Sequence, residues 1–364
     1  MRLRTLAREA WANLVSGTSR VGLLAVVFAL IIGGIAAIDT HVSLGVIRRA
    51  DEFRSSGSAT SALRATAGIS GTQCDALAGS PPLHASGAIR SGDPLRLGAM
   101  PDVTIHSWEV TASFVELLPH IAPVEVPAES SLTGVWLSAD LAGMLGIRPG
   151  DDVATSLGSA VVGGIYEWPD DGRARELGFT ILVPTDPQGD FDACWVHVWP
   201  QNTAATSLVY LSLTGAPEEA ELGQLNARLG AQFNAHAAME SRLTRHAAGA
   251  ALVLGAALGA AAMRLRRLEL ASALHARVAK SDLVAGQVLE ALGWLIPGGV
   301  IALAGVVIPA AWIQRTIVHE AFVGELAAVG ASVIAAGAAG ALLATIVSVA
   351  LSQEKHLFAL FKSR

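Results

Sequence analysis

Four apolar stretches punctuate the chain, and long polar segments separate them unevenly. Residues 21–38 read VGLLAVVFALIIGGIAAI, without a charge. That length is at the short end of the ~17–25 residues needed to cross a bilayer as a helix. Residues 246–263 form an Ala-rich run with Gly255 and Gly259 four apart, a spacing that permits close helix contact in a membrane. A buried helix of a soluble core is the alternative for this run, and the arginines after it argue against that. Residues 284–312 form a third run, with Glu290, Trp294, Pro297, Gly298, Gly299 and Pro309 inside it. Proline in a membrane helix loosens the backbone, so Pro297, Gly298 and Gly299 are hinge candidates. Residues 325–350 are the fourth run, notched by Gly330, Gly337 and Gly340. A short outer loop is expected at 313–324, with Arg315 against Glu320.

Before the first run, residues 1–20 place Leu3, Leu6, Ala7, Ala10, Trp11, Leu14 and Val15 on one face. Arg2, Arg4, Arg8 and Glu9 fall largely off it. This predicts an interfacial amphipathic helix. A cleaved leader is the alternative, with Ala36 and Ala37 mimicking a cleavage site. Three further apolar runs favour a retained span.

The long polar segment, 39–245, predicts a mixed α/β domain between the first and second spans. Alternation at 103–110 predicts a strand, and 114–118 a short helix. Trp136 and Leu137 end a strand. Ser138 then stands where a helix cap belongs, and Gly146 closes that helix. Strands are expected in AVVGGIYEW, GFTILVP and 194–199. Leu222, Leu225, Leu229 and Phe233 keep helical spacing, so 218–245 is expected to be a helical stalk.

Composition agrees with a membrane protein: 364 residues, 52% hydrophobic and 15% charged, against about 25% charged in soluble domains. The net charge of −6 offers nothing to nucleic acid. Its distribution is informative. Residues 39–245 hold 24 acidic residues and 12 arginines. All three lysines, Lys280, Lys355 and Lys362, lie elsewhere. Segments 1–20, 264–283 and 351–364 are each net positive. Basic residues flanking membrane helices stay in the cytoplasm. Both termini and 264–283 are therefore expected inside, the C-terminus as a tail at 351–364, and 39–245 outside.

Both cysteines, Cys74 and Cys194, fall in the outer segment. An even count in an exported domain favours a disulfide over two buried thiols. No metal ligand set stands out. His84, His106, His120 and His197 are scattered through the outer segment; their spacing does not argue for a catalytic arrangement, and each is read as a surface or satisfied histidine. HExxH and GxSxG are absent, so no catalytic residues are expected. A GxxxxGK[ST] phosphate loop is absent too. Glu290, within a span, is read as the partner of an arginine near the inner surface, with a proton relay as the alternative.

The segment 264–283 organises the rest. Arg264, Arg266 and Arg267 follow the second span, and Leu268, Leu270, Leu274 and Val278 predict an amphipathic helix. This region resembles the signature of FtsX/MacB-type ABC transporter permeases. That pattern runs roughly Arg-Glu-Ile-Gly, then Leu-Arg-Ala-x-Gly-Ala, then a glutamate. Here Arg267 and Leu268 precede Glu269, Leu270-Ala271 stands for Ile-Gly, and Glu290 follows Glu269 by 21 positions. Arg277 stands where the family usually has glycine. The layout of one span, a large outer domain and three more spans is similar as well, as is the outer stretch SADLAGMLGIRPGDDVATSLGSAVVGGIYE.

The resemblance implies an α-helical membrane protein with four transmembrane helices and a large extracytoplasmic α/β domain between the first and second. It implies that 264–283 is a cytoplasmic coupling helix, with Arg266, Arg267, Glu269, Leu270, Leu274 and Arg277 as coupling residues. A separate cytoplasmic ATPase pair would bind ATP and magnesium, and a second permease copy or paralogue would complete the membrane part. The implied function is export or extraction of a hydrophobic or amphipathic substrate, such as a peptide, lipid-linked molecule or drug. A regulator of a cell-wall hydrolase that moves no substrate is the alternative.

Overall fold

The structure, a computed structural model, describes residues 20–79, 81, 83–126, 134–215, 219–317 and 323–352. The interfacial helix expected over 1–20, the Arg315–Glu320 pairing and nearly all of the tail lie outside the described residues. The chain divides into two compact units, Arg48–Ala235 and the described parts of Met1–Ile47 with His236–Arg364.

The first helix, α1, spans Val21–Ser55. The expected span ended at 38, but the helix continues well past it. Asp39, Thr40 and Ser43 are buried, and the Ser43 hydroxyl donates to the Asp39 carbonyl at 2.8 Å. The Ser43 hydroxyl is thus satisfied by the preceding turn of the same helix, which hydropathy cannot show.

The Arg48–Ala235 unit follows. Strand β1 (Thr60–Ser70) leads to α2 (Gly71–Ala76), β2 (Leu83–Ser91), β3 (Leu95–Leu97) and β4 (Met100–Thr111). Next come α3 (Ala112–Ile121), β5 (Val124–Glu125), β6 (Val135–Ser138) and α4 (Ala139–Leu145). Strands β7 (Asp152–Thr155), β8 (Gly158–Tyr166), β9 (Thr180–Thr185) and β10 (Asp190–Val198) complete most of the sheet. A short helix α5 (Thr203–Thr206) and the edge strand β11 (Glu221–Gln224) end it.

The strands run in the order β11-β1-β10-β2-β4-β3-β7-β8-β6-β9, and β9 returns to pair in parallel with β4. The pairings from β4 round to β9 therefore close on themselves. Leu97, Ile105, Leu137, Val162 and Ile181 form the core of that ring. A second core gathers α3 against Trp136, Tyr166 and Trp195. A third surrounds Cys74 and Cys194, which form a disulfide.

Two expectations for this unit need correction. Ser138 occupies the N-cap position of α4, but its side chain makes no cap bond. Its hydroxyl accepts instead from the Thr180 backbone N–H at 3.3 Å, tying β6 to β9. The helical stalk expected over 218–245 is not formed. Leu222 lies in β11, paired with Leu63 of β1, and Leu225 is buried. The helical spacing of these leucines is overridden by pairing to a sheet edge, where alternation suffices.

The second unit resumes with α6 (Ala235–Glu240), and α7 spans Ala247–Leu265. Then come α8 (Arg267–His275), α9 (Lys280–Ile317) and α10 (Val323–Leu351). Four helices are long and apolar enough to cross a membrane: α1, α7 with the turn before it, α9 and α10. In a bilayer a helix satisfies its own backbone, which explains these long unbroken segments. Helices α7 and α10 touch backbone to backbone. A Cβ at Gly255 would strike the Gly337 carbonyl, and one at Gly340 the Leu252 carbonyl. Phe28 and Ile32 of α1 pack with Trp294 of α9 and Val333 of α10.

Candidate coupling site

The segment between α7 and α9 is a tight knot held by one arginine. Arg266 is the residue at which α7 ends and α8 begins. Its Nε donates to Glu269 Oε2 at 2.8 Å on the first turn of α8. Its Nη1 donates to Gln287 Oε1 at 3.2 Å, and Nη2 to Glu290 Oε1 at 3.4 Å, both on α9. Arg266 Nη1 also forms an ion pair with Glu290 Oε2. The two side chains are 14% and 8% exposed, so the charges are largely withdrawn from solvent. A planar guanidinium has enough donors to serve three acceptors at once. Beside it lies a cavity of about 210 Å³, lined by Arg20, Leu24, Met263, Glu269 and Trp294 among others.

Apolar contacts complete the attachment. Leu270, Ala271 and Leu274 are buried, and Leu270 packs with Ala262, Met263 and Val349. Lys280 Nζ donates to the Ala350 carbonyl at 3.1 Å, fastening the start of α9 to the end of α10. The outer face is different. Arg264, Arg267, Glu269, Ser272, His275 and Arg277 are exposed.

The six expected coupling residues thus divide. Arg266, Leu270 and Leu274 hold α8 in place, Glu269 joins them from an exposed position, and Arg267 and Arg277 face outward. The expected apolar face is corrected at its ends. Leu268 is exposed, since it sits two residues from Leu270 and off its face, and Val278 lies beyond the helix. Arg277 adopts a left-handed backbone, φ 57°. Glycine has no steric cost there, which gives the glycine of the family pattern a reason.

Helix α9 runs through Pro297, Gly298 and Gly299 without a break. A Cβ at Gly298 would come within 2.8 Å of the Ala25 carbonyl, so this glycine seats α9 against α1.

Sequence reasoning missed two arginine clusters. Arg242, just before α7, pairs with buried Asp39 at 3.5 Å and donates to Ser43, both on α1. Arg173, almost wholly buried, donates to the carbonyls of Ser55 and Ile121, the last residues of α1 and α3, at 3.4 and 2.6 Å. Asp171 pairs with it at 2.7 Å, and Trp168 lies under its guanidinium. Basic groups favour helix C-termini, where carbonyls lack partners, and here one side chain serves two. Its position in a polar turn gave no signal of this.

Three of the scattered histidines come together. His120 stacks on His197 with ring centroids 5.1 Å apart, and His84 lies 6.4 Å from His197. His106 packs instead against Trp108. His197 Nδ1 shares a hydrogen bond with Thr60 Oγ1 at 3.0 Å. Burial, then the neighbouring His120, Arg54 and His84, push the His197 imidazole down to about 3. Burial also lowers His120. Among the described residues, no group of three His, Cys, Asp or Glu side chains could hold a metal ion.

No family model matches this chain, and no curated protein matches it. Among solved structures, it is similar to the periplasmic region of MacB from Actinobacillus actinomycetemcomitans. That match has 12% identity and a TM-score of 0.33, covering 45% of this chain and 87% of the other. It is also similar to the extracellular domain of the noncanonic ABC-type transporter YknZ from Gram-positive bacteria. There the identity is 14% and the TM-score 0.29, over 41% of this chain and 88% of the other.

Proposed function

We propose that this chain is the membrane subunit of an ABC transporter of the FtsX/MacB-like permease type. A separate cytoplasmic ATPase dimer binds ATP and magnesium and presses on α8. The observation that carries this reading is the Arg266 knot, which fixes α8, within the basic segment 264–283, to two long apolar helices at once. A push on α8 is then delivered to α7 and α9 instead of being absorbed by a loose loop. The protein sits in the cytoplasmic membrane with both termini inside, as the basic flanks indicate. A second copy or paralogue completes the membrane part, and the Arg48–Ala235 unit lies outside.

The substrate class is hydrophobic or amphipathic: a peptide, a lipid-linked molecule or a drug. Supporting this, a cavity of about 220 Å³ is lined by Leu44, Val306, Pro309, Ala310 and Leu326, with Thr40 and His41 as polar members. It offers an apolar tail a place among the spans.

Charge reversal tests the reading. Arg267 is exposed and outside the knot, so Arg267→Glu leaves the fold intact. Its effect on substrate-stimulated ATP hydrolysis, measured with the co-purified ATPase, is expected to be a fall of ~5-fold or more, the equivalent of ~1 kcal/mol. Unchanged hydrolysis sinks the coupling assignment. Labelling of Ser272→Cys by a membrane-impermeant thiol reagent in intact cells would do the same.

A further inference from the structure

A cavity of about 580 Å³ in the Arg48–Ala235 unit has no part in the coupling reading. It lies against β11 and the segment that begins α5. Its polar lining includes Gln201, Asn202, Thr203, Thr206, Gln224 and Gln232, and no described side chain lining it is charged. That neutrality stands out in a segment as acidic as 39–245.

Three of these amides are held by one half only. Gln201 Oε1 accepts from the Phe233 backbone N–H at 2.7 Å. Asn202 Oδ1 accepts from the Ala204 and Ala205 N–H groups at 3.0 and 3.3 Å. Gln224 Nε2 donates to the Ser58 and Gly230 carbonyls at 2.6 and 3.1 Å. Each bond fixes which end of the amide is nitrogen and which oxygen. What is left over is two NH₂ groups and one carbonyl oxygen, each oriented in advance. Thr203 is exposed beside them, and its hydroxyl both donates and accepts. Phe233, whose N–H holds Gln201, stacks on Trp199 with 12° between the rings and centroids 6.4 Å apart.

We infer that this cavity binds a neutral carbohydrate. A sugar hydroxyl both donates and accepts, so it pairs with a mixed set of fixed amide donors and acceptors. No formal charge is then needed on either side. Pre-oriented partners lower the ordering cost of binding. The volume falls in the usual range for small-molecule sites, ~300–1,000 Å³. A peptide is the less suited occupant, because strand-like peptides depend on pockets for alternate side chains. Here the apolar lining is only Leu222 and Ala231. The inference concerns one unit and does not depend on the coupling reading.

The test uses the full chain in lipid nanodiscs, with chitotetraose and maltotetraose as probes and tetra-alanine as the competitor class. Saturation-transfer NMR and calorimetry read binding. At least one oligosaccharide is expected to bind with a Kd of ~1 mM or tighter. Thr203→Val with Gln232→Ala, both exposed and making no bond that holds the fold, should weaken it by ~5-fold or more. Ala231→Arg should abolish it by filling the lip. Three results would overturn the assignment: neither sugar binding at ~10 mM, binding unmoved by these substitutions, or tetra-alanine binding in place of the sugars.

Discussion

Arg266 illustrates how a single residue turns a sequence pattern into a device. Its pairing with Glu290 bridges 24 positions and withdraws both charges from solvent. Removing one member of such a pair leaves the other uncompensated, at ~3–5 kcal/mol, whereas replacing both with apolar residues is often neutral. Arg266→Met is therefore expected to lower the unfolding temperature in nanodiscs sharply. Arg266→Met with Glu290→Met should recover most of the loss while remaining defective in coupling. Recovery of coupling by the double variant would contradict a role for the charge in transmission. His197 gives a second prediction at this scale. An unfolded histidine takes up a proton below about pH 6.5, while folded His197 resists until about 3. Its contribution is full above the unfolded value and falls as acid is added, by at most ~1.4 kcal/mol per pH unit. His197→Gln should flatten the loss of stability between about pH 7 and about pH 5, followed by urea denaturation. The residues of both clusters were visible in the sequence. For Glu290 an arginine near the inner surface was expected as the partner, but nothing brought the histidines together, because His84, His120 and His197 meet only when β2, α3 and β10 pack.

Elements were legible wherever one force dominated. Apolar runs long enough to span gave α7, α9 and α10 close to their expected bounds, since a helix satisfies its backbone within one segment. Where two forces competed, the reading failed. The 218–245 segment carries leucines at helical spacing, yet β11 forms because β1 presents an open edge to it. Helix packing is the element-scale property most exposed to test. Gly340 admits no side chain, as Leu252 of α7 presents its carbonyl to the place of a Cβ. Gly340→Leu should part α7 from α10 and lower the unfolding temperature by the equivalent of ~3 kcal/mol or more. Gly324→Leu, at a glycine with open space around it, is the control and should have little effect.

At the scale of the whole molecule, the Cys74–Cys194 bridge closes a loop of 120 positions and joins α2 to β10. In the chain-entropy model such a link is worth up to ~4–5 kcal/mol. Cys74→Ala with Cys194→Ala should lose stability of that order in denaturant titrations. A reductant should reproduce the loss in the native chain and leave the variant unchanged. The membrane character, the four apolar runs long enough to span and the expectation of a bridge all followed from the order of residues alone. They follow from local quantities: the length of an apolar run, the sign of its flanks, a count of thiols. The closure of the sheet through β4 and β9, the grip of Arg173 on two helix ends, the sharing of Arg266 among Glu269, Gln287 and Glu290 and the half-held amides of the neutral cavity were decided only in three dimensions. Each is a meeting of groups far apart in the chain, and hydropathy and spacing carry no information about which distant partner a buried polar group will find.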